Sequence, residues 1–208
     1  GSIRTKKGGQ VGRLGTARLC GRRSIIQKAP RAKKIKEKKK MINNKITIKG
    51  DSVVDIQRGA IGHRATWTGL TYTKAREAGK AEEAEKIIRE AIVETGKIQG
   101  DEVKSQCKDP EDITCFADTF FTPNVVKTFE VEFKSKTEDR MDIEFHHCPL
   151  LKAWQDLGFD DATCEKLCDM AMDGDRNIAK AMGFEFHLGD TIANGCKTCQ
   201  ISFFKKGK

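Results

Sequence analysis

Nowhere does this 208-residue sequence string together the eighteen or more apolar residues that a membrane-spanning helix needs, and no secretory apolar core follows its start. A soluble, cytoplasmic protein is the expectation, with no membrane partner. Acidic residues are almost missing from residues 1–40, which hold 15 of the 39 lysines and arginines but a single acid, Glu37. Residues 41–208 reverse the balance, with 24 basic and 29 acidic side chains, so the net charge of +9 belongs to the leader alone. The leader also lacks aromatic residues on which bases stack. With an acidic domain behind it, a nucleic-acid partner is not expected.

The leader has no apolar periodicity, and its Gly, Lys and Arg content buries too little surface to offset the entropy of ordering it. Codons for Ile35-Lys36-Glu37-Lys38 allow a bacterial ribosome-binding site just upstream of Met41. Residues 1–40 are therefore read as a non-native or disordered basic leader, and residues 41–208 as one domain. Its first part, 41–124, reads as mainly helical. Its second, 125–208, reads as a sheet plus helices that carry the site.

Apolar residues at helical spacing over 51–79 and 80–95 predict two helices, with Gly79 and Gly96 as stops. Residues 98–124 read as a connector holding a short helix with Cys107 and Cys115. The period then changes to two. Val125, Phe129, Val131 and Phe133 share one parity, SKTED makes a turn, and Met141, Ile143, Phe145 and His147 share one parity on the return, which predicts an antiparallel hairpin. A short helix over 150–157, a longer one from Asp160 or Asp161 to about Met182, and strands at 184–188 and 198–205 complete the reading. The fold class is α+β: N-terminal helices followed by an antiparallel sheet with a helical insertion.

Thiols and imidazoles concentrate near the C-terminus. Residues 145–204 contain five of the eight cysteines and three of the four histidines. Without an export signal, these cysteines are read as free thiols that act as nucleophiles, as ligands or as buried packing. Cys148 sits where a strand breaks at Pro149, next to His146 and His147, and an adjacent imidazole lowers a thiol's pKa or accepts its proton. It is the best candidate nucleophile. Parity turns His147 and Cys199 toward the interior. Cys164, Cys168, Cys107 and Cys115 read as core packing, and His63 and His187 as ordinary histidines. The CxxC at 196–199 invites zinc or an iron–sulfur centre completed by His147 or Cys148, but no second CxxC supports it. No metal or other cofactor is called for.

The strand ending in Cys148-Pro149-Leu150, Trp154 and Gly158 after it, LCDMAMDGDRNIA at 167–179, Thr191-Ile192-Ala193 before Gly195, and the closing Cys199-x-Ile201-x-Phe203 strand resemble the L-2-amino-thiazoline-4-carboxylic acid hydrolase family. The likeness covers about 140–205, weakens over 60–100, and is absent from the leader. It implies that Cys148 and Cys199 match family cysteines and Asp175 the family's helix acid, whereas Cys164 and Cys196 depart from the pattern. It also implies hydrolytic opening of a small cyclic amidine-type ring to N-carbamoyl-L-cysteine. In that chemistry the Cys148 thiolate, or a water activated by His147, attacks the ring carbon and Asp175 supplies a proton. Arg176 or Lys152 holds the substrate carboxylate, with His146 beside it. The other reading is a non-catalytic module that binds a small ligand or a metal. A small-molecule substrate is expected, and self-association into a homo-oligomer stays open.

Overall fold

The computed structural model describes residues 41–207; the leader, residues 1–40, lies outside them. Asp51 starts the first helix, α1 (Ser52–Glu77), by accepting from the Val54 N–H. Helix α2 (Ala81–Gln106) follows after a tight turn at Gly79, φ +76°. It runs ten residues beyond the stop expected at Gly96. Gly96 and Gly100 are there for close approach instead: a Cβ on Gly96 would come within 2.5 Å of the Gly174 carbonyl oxygen, and one on Gly100 within 2.6 Å of Ala181 Cβ. These glycines let α2 lie directly on a later helix, α6 (Asp161–Met182).

Helix α3 (Ile113–Phe120) carries Cys115, whereas Cys107 caps the end of α2. The next segment corrects the sequence reading. Pro123–Phe129 forms α4 rather than the start of a strand. Thr122 accepts from the Val125 N–H and Pro123 fills the first turn, a strong helix start. Val125 and Phe129, four apart, fit a helix face as well as they fit strand parity.

Strand β1 (Val131–Lys136) and β2 (Arg140–Phe145) then form the expected hairpin, with a bulge between Phe133 and Ser135. Helix α5 (Pro149–Asp156) and the long α6 (Asp161–Met182) are inserted before β3 (Glu185–Leu188) and β4 (Cys199–Phe204). The sheet is wholly antiparallel, in the order β1-β2-β4-β3. This is the α+β arrangement expected from the sequence. Among the described residues no helix is long and apolar enough to cross a membrane.

The interior forms two apolar clusters. In one, Met141, Ile143, Ile201 and Phe203 from the inner sheet face pack on Phe116, Ile178 and Phe184. In the other, α1, α2, α5 and α6 converge on Leu151, Trp154 and Leu167. Trp154 lies in this second cluster and donates its indole N–H to the Ala65 carbonyl at 2.8 Å, which ties α5 to α1. Phe145 touches both clusters.

Candidate active site

A cavity of about 640 Å³ occupies the seam between the two clusters. Its mouth is marked by exposed side chains of α1 and α2, Trp67, Ala91 and Thr95, and at its inner end stand Cys148, Cys168, Cys199 and Asp175. Among the described residues Arg64 and Asp175 are the only charged side chains that line it.

Cys148 is the N-cap residue of α5, in extended conformation just past β2. Asn44 holds it in place, accepting from the Cys148 N–H at 2.9 Å and donating to its carbonyl at 2.8 Å. The position has two consequences for the thiol. Burial pushes its pKa up and the Asp175 carboxylate adds to the push, while the Leu151 and Leu150 N–H groups at the start of α5 and the Arg64 guanidinium pull it back. The other thiols have less relief. Cys199 accepts only the Ile192 N–H, at 3.3 Å, and burial followed by the neighbouring Cys148 lifts its pKa to about 12. Burial, then Cys148 and Cys199, raises Cys168 well above the thiol range. Cys164 faces the Phe159 carbonyl inside the core, and burial lifts it to about 11.

Asp175, half-buried on α6, opens onto the cavity rather than onto bulk water. Burial raises its carboxyl pKa to about 6, against a partial counter-pull from its own backbone N–H, Arg64 and Arg176. A carboxyl group poised there exchanges protons near neutrality.

The remaining residues singled out from sequence stand elsewhere. His147 is 1% exposed and does not line the cavity. Its N–H donates to the Phe129 carbonyl at 3.1 Å, and its Nδ1 is, among the described residues, the one buried side-chain nitrogen or oxygen without a hydrogen-bond partner. Burial, helped by the nearby Arg58 charge, lowers its pKa to about 4 even though Glu130 pulls the other way, so the ring is neutral at pH 7. His146 is exposed and 3.1 Å from Glu132. Lys152 pairs with Asp156 along α5. Arg176 bridges Asp173 at 2.6 Å and Asp169 at 3.1 Å, and Arg89 of α2 joins the same two carboxylates. Asp175 and Arg176 are thus sequence neighbours with separate tasks, one in the cavity and one in a surface network that pins α2 to α6.

Two lining residues escaped the sequence reading. Arg64 sits in a polar stretch of α1 with no motif around it; its carbonyl accepts from the Thr68 hydroxyl at 3.0 Å, and among the described residues its guanidinium has no ion pair or hydrogen bond. Cys168 repeats at helical spacing with Cys164 and Leu167, a pattern that reads as core. The cavity thiols do not form a metal cage either. Among the described residues the one group of three with ligand atoms within 4.8 Å of one another is Glu132, Glu144 and His146, outside the cavity, and Lys134 already neutralises it at 2.6 Å from Glu132 and 3.6 Å from Glu144. Cys196, half-buried, does not line the cavity with Cys199.

The family model described as L-2-amino-thiazoline-4-carboxylic acid hydrolase matches residues 58–203. The chain belongs to this family. The match starts within α1 and ends within β4, so it includes every cavity-lining residue except Gln57. No curated protein and no solved structure matches the chain.

Proposed function

We propose that the protein hydrolyses a cyclic amidine-type ring of the 2-amino-thiazoline-4-carboxylate kind, with Cys148 as nucleophile, Asp175 as proton carrier and Arg64 as the anchor for the substrate carboxylate. The observation that carries this reading is the meeting of those three groups in one cavity. Among the described residues Cys148 is the one cavity thiol whose sulfur faces two backbone N–H groups, those of Leu150 and Leu151 at the start of α5, where Cys199 faces the single N–H of Ile192, and Asp175 is the one carboxyl group there.

The chemistry follows. Cys148 Sγ adds to the ring carbon that lies between nitrogen and sulfur, and the thiol proton passes to Asp175. The adduct collapses by breaking the ring C–S bond, and the departing sulfur takes the proton back from Asp175. This leaves an isothiourea on Cys148. Water then adds to the same carbon, Asp175 accepting one of its protons. The bond from carbon to Cys148 breaks, and the thiol is restored with that proton. The sum is ring plus one water giving a carbamoyl thiol, with no change of oxidation state. His147, neutral and outside the cavity, has no part in the proton transfers. Cys199 and Cys168, held as thiols, supply a soft, uncharged wall beside the ring sulfur.

The test uses the purified full chain with 2-amino-thiazoline-4-carboxylate and related cyclic ureas and amidines. Release of free thiol and a product heavier by one water are expected. Cys148→Ser should lose on the order of 10³-fold or more in rate, and Asp175→Asn roughly 10²- to 10⁴-fold. Stoichiometric metal in the purified protein together with no turnover of any ring would favour a metal-binding module instead.

A further inference from the structure

The reacting groups occupy only the inner end of the cavity. A five-membered ring with an amino and a carboxylate substituent fills roughly a quarter of 640 Å³ at the close packing of a protein interior. A space this large, about 300–1,000 Å³, matches ligands of drug size. Between the thiols and the mouth the walls are apolar: Ile61 and Trp67 from α1, Ile88 and Ile92 from α2, and Phe121 and Met172 opposite. Trp67 is 67% exposed, a large indole left in water at the opening, with its N–H tied to His63 at 3.1 Å. Leaving these surfaces wet is unfavourable, and a substrate ring seated against Cys148 does not reach them. Apart from the exposed Arg64, the lining toward solvent is uncharged, with Gln57, Thr68, Thr95 and Gln99, and offers nothing to a second charged group.

We infer that the substrate bears an apolar arm, an aryl group or its alkyl equivalent of roughly six to ten carbons, joined to the ring that meets Cys148 and lying along the wall from Ile88 and Ile92 to Trp67. The inference rests on the hydrolase reading of the inner end and adds the substrate class. The arm buries apolar walls, Trp67 stacks on an aryl face at the mouth, and Arg64 still takes the carboxylate.

The experiment compares 2-amino-thiazoline-4-carboxylates that carry hydrogen, butyl or benzyl, in one series on the exocyclic nitrogen and in another on ring carbon 5. Values of kcat/KM come from thiol release, and affinities for Cys148→Ser protein come from calorimetry. In at least one series benzyl should exceed the parent on the order of 10²-fold in both quantities, the gain expected from fully burying a phenylalanine-sized group. Ile92→Trp and Ala91→Phe, which fill the wall, should each bring the benzyl-to-parent ratio toward one; the ratio is internal to each variant, so partial loss of folded protein leaves it unaffected. A parent ring cut as fast as the benzyl ring in both series, with equal affinities, would overturn the arm and leave the hydrolase reading standing. Benzyl rings that bind tightly, where neither they nor the parent ring is ever cut, would sink the hydrolase reading and keep the apolar arm as the feature the cavity recognises.

Discussion

His147 and Cys148 are joined by one peptide bond and belong to different regions of the molecule. His147 turns toward a cluster built for rigidity. There Arg58 donates to the Ile48, Lys127 and Thr128 carbonyls and meets Glu130 at 3.1 Å. Glu130, held at φ +53°, also accepts from Thr47 N–H at 2.7 Å and Ile48 N–H at 3.0 Å. Burial works to raise its carboxyl pKa, and these partners together keep it below the ordinary range. Cys148 turns the other way, into a cavity where a carboxyl group and three thiols have few partners and all have raised pKa values. The difference is instructive. Arg58 and Glu130, buried and satisfied, fix the chain beside a His147 kept neutral with its Nδ1 unpartnered, whereas the cavity groups with raised pKa values stand where a reaction can use them.

The largest effect expected from breaking this contrast is on the rigid side. Glu130→Ala leaves Arg58 buried without its carboxylate and should lower the unfolding free energy in urea by about 3–5 kcal/mol. A loss under about 1 kcal/mol would mean that the cluster is not structural.

A smaller effect separates the two regions by pH. The native state keeps His147 neutral down to about pH 4, while the unfolded chain protonates it near 6.5. Between those values the unfolded state binds more protons, so this group's contribution to stability is complete above pH 6.5 and is lost as pH falls toward 4. Asp175 has the opposite sign. Its pKa is raised to about 6, so its contribution is complete below 3.8, the unfolded value, and is lost as pH rises through 6. The two largely cancel between pH 4 and 6. Asp175→Asn should remove one side. It should gain about 1–3 kcal/mol at pH 8, gain nothing at pH 3.5, and expose a fall of about 2–3 kcal/mol from His147 between pH 6.5 and 4. Denaturant midpoints across that range check both signs. An Asp175→Asn protein less stable than wild type at pH 8 would show that the carboxylate is structurally satisfied, not poised.

Much of this was legible in the sequence, for identifiable reasons. Strand parity placed Met141, Ile143, Ile201 and Phe203 correctly because one sheet face is buried and the other is wet. The helix start at Asp160 and the stop at Gly79 were legible because capping is local. Gly96 misled because a glycine that stops a helix and one that admits a neighbouring helix look alike in one dimension. Val125–Phe129 misled because a spacing of four satisfies both periods. In the cavity, Cys148 and Cys199 could be singled out because a strand end and an inward parity are local signals, and Asp175 because the family resemblance implied it. Arg64 and Cys168 could not, since what distinguishes them is α1 facing α6 across the cavity. His147 shows the limit of parity: it is buried as its strand parity demands, but burial alone does not say in which of two interiors a residue lies.

The central claim is that the thiol of Cys148 answers to Asp175 across space and not to His147 beside it in the chain. The rate of iodoacetamide labelling at Cys148, followed by peptide mapping at pH 7, tests it without a substrate. In wild type Cys148 should react before Cys164, Cys168 and Cys199. Asp175→Asn removes a negative charge that holds the thiol protonated, and should speed labelling several-fold. His147→Asn replaces a neutral ring outside the cavity and should leave the rate within about twofold. A tenfold slowing in His147→Asn, with no change in Asp175→Asn, would make the imidazole the partner of the thiol and contradict the account.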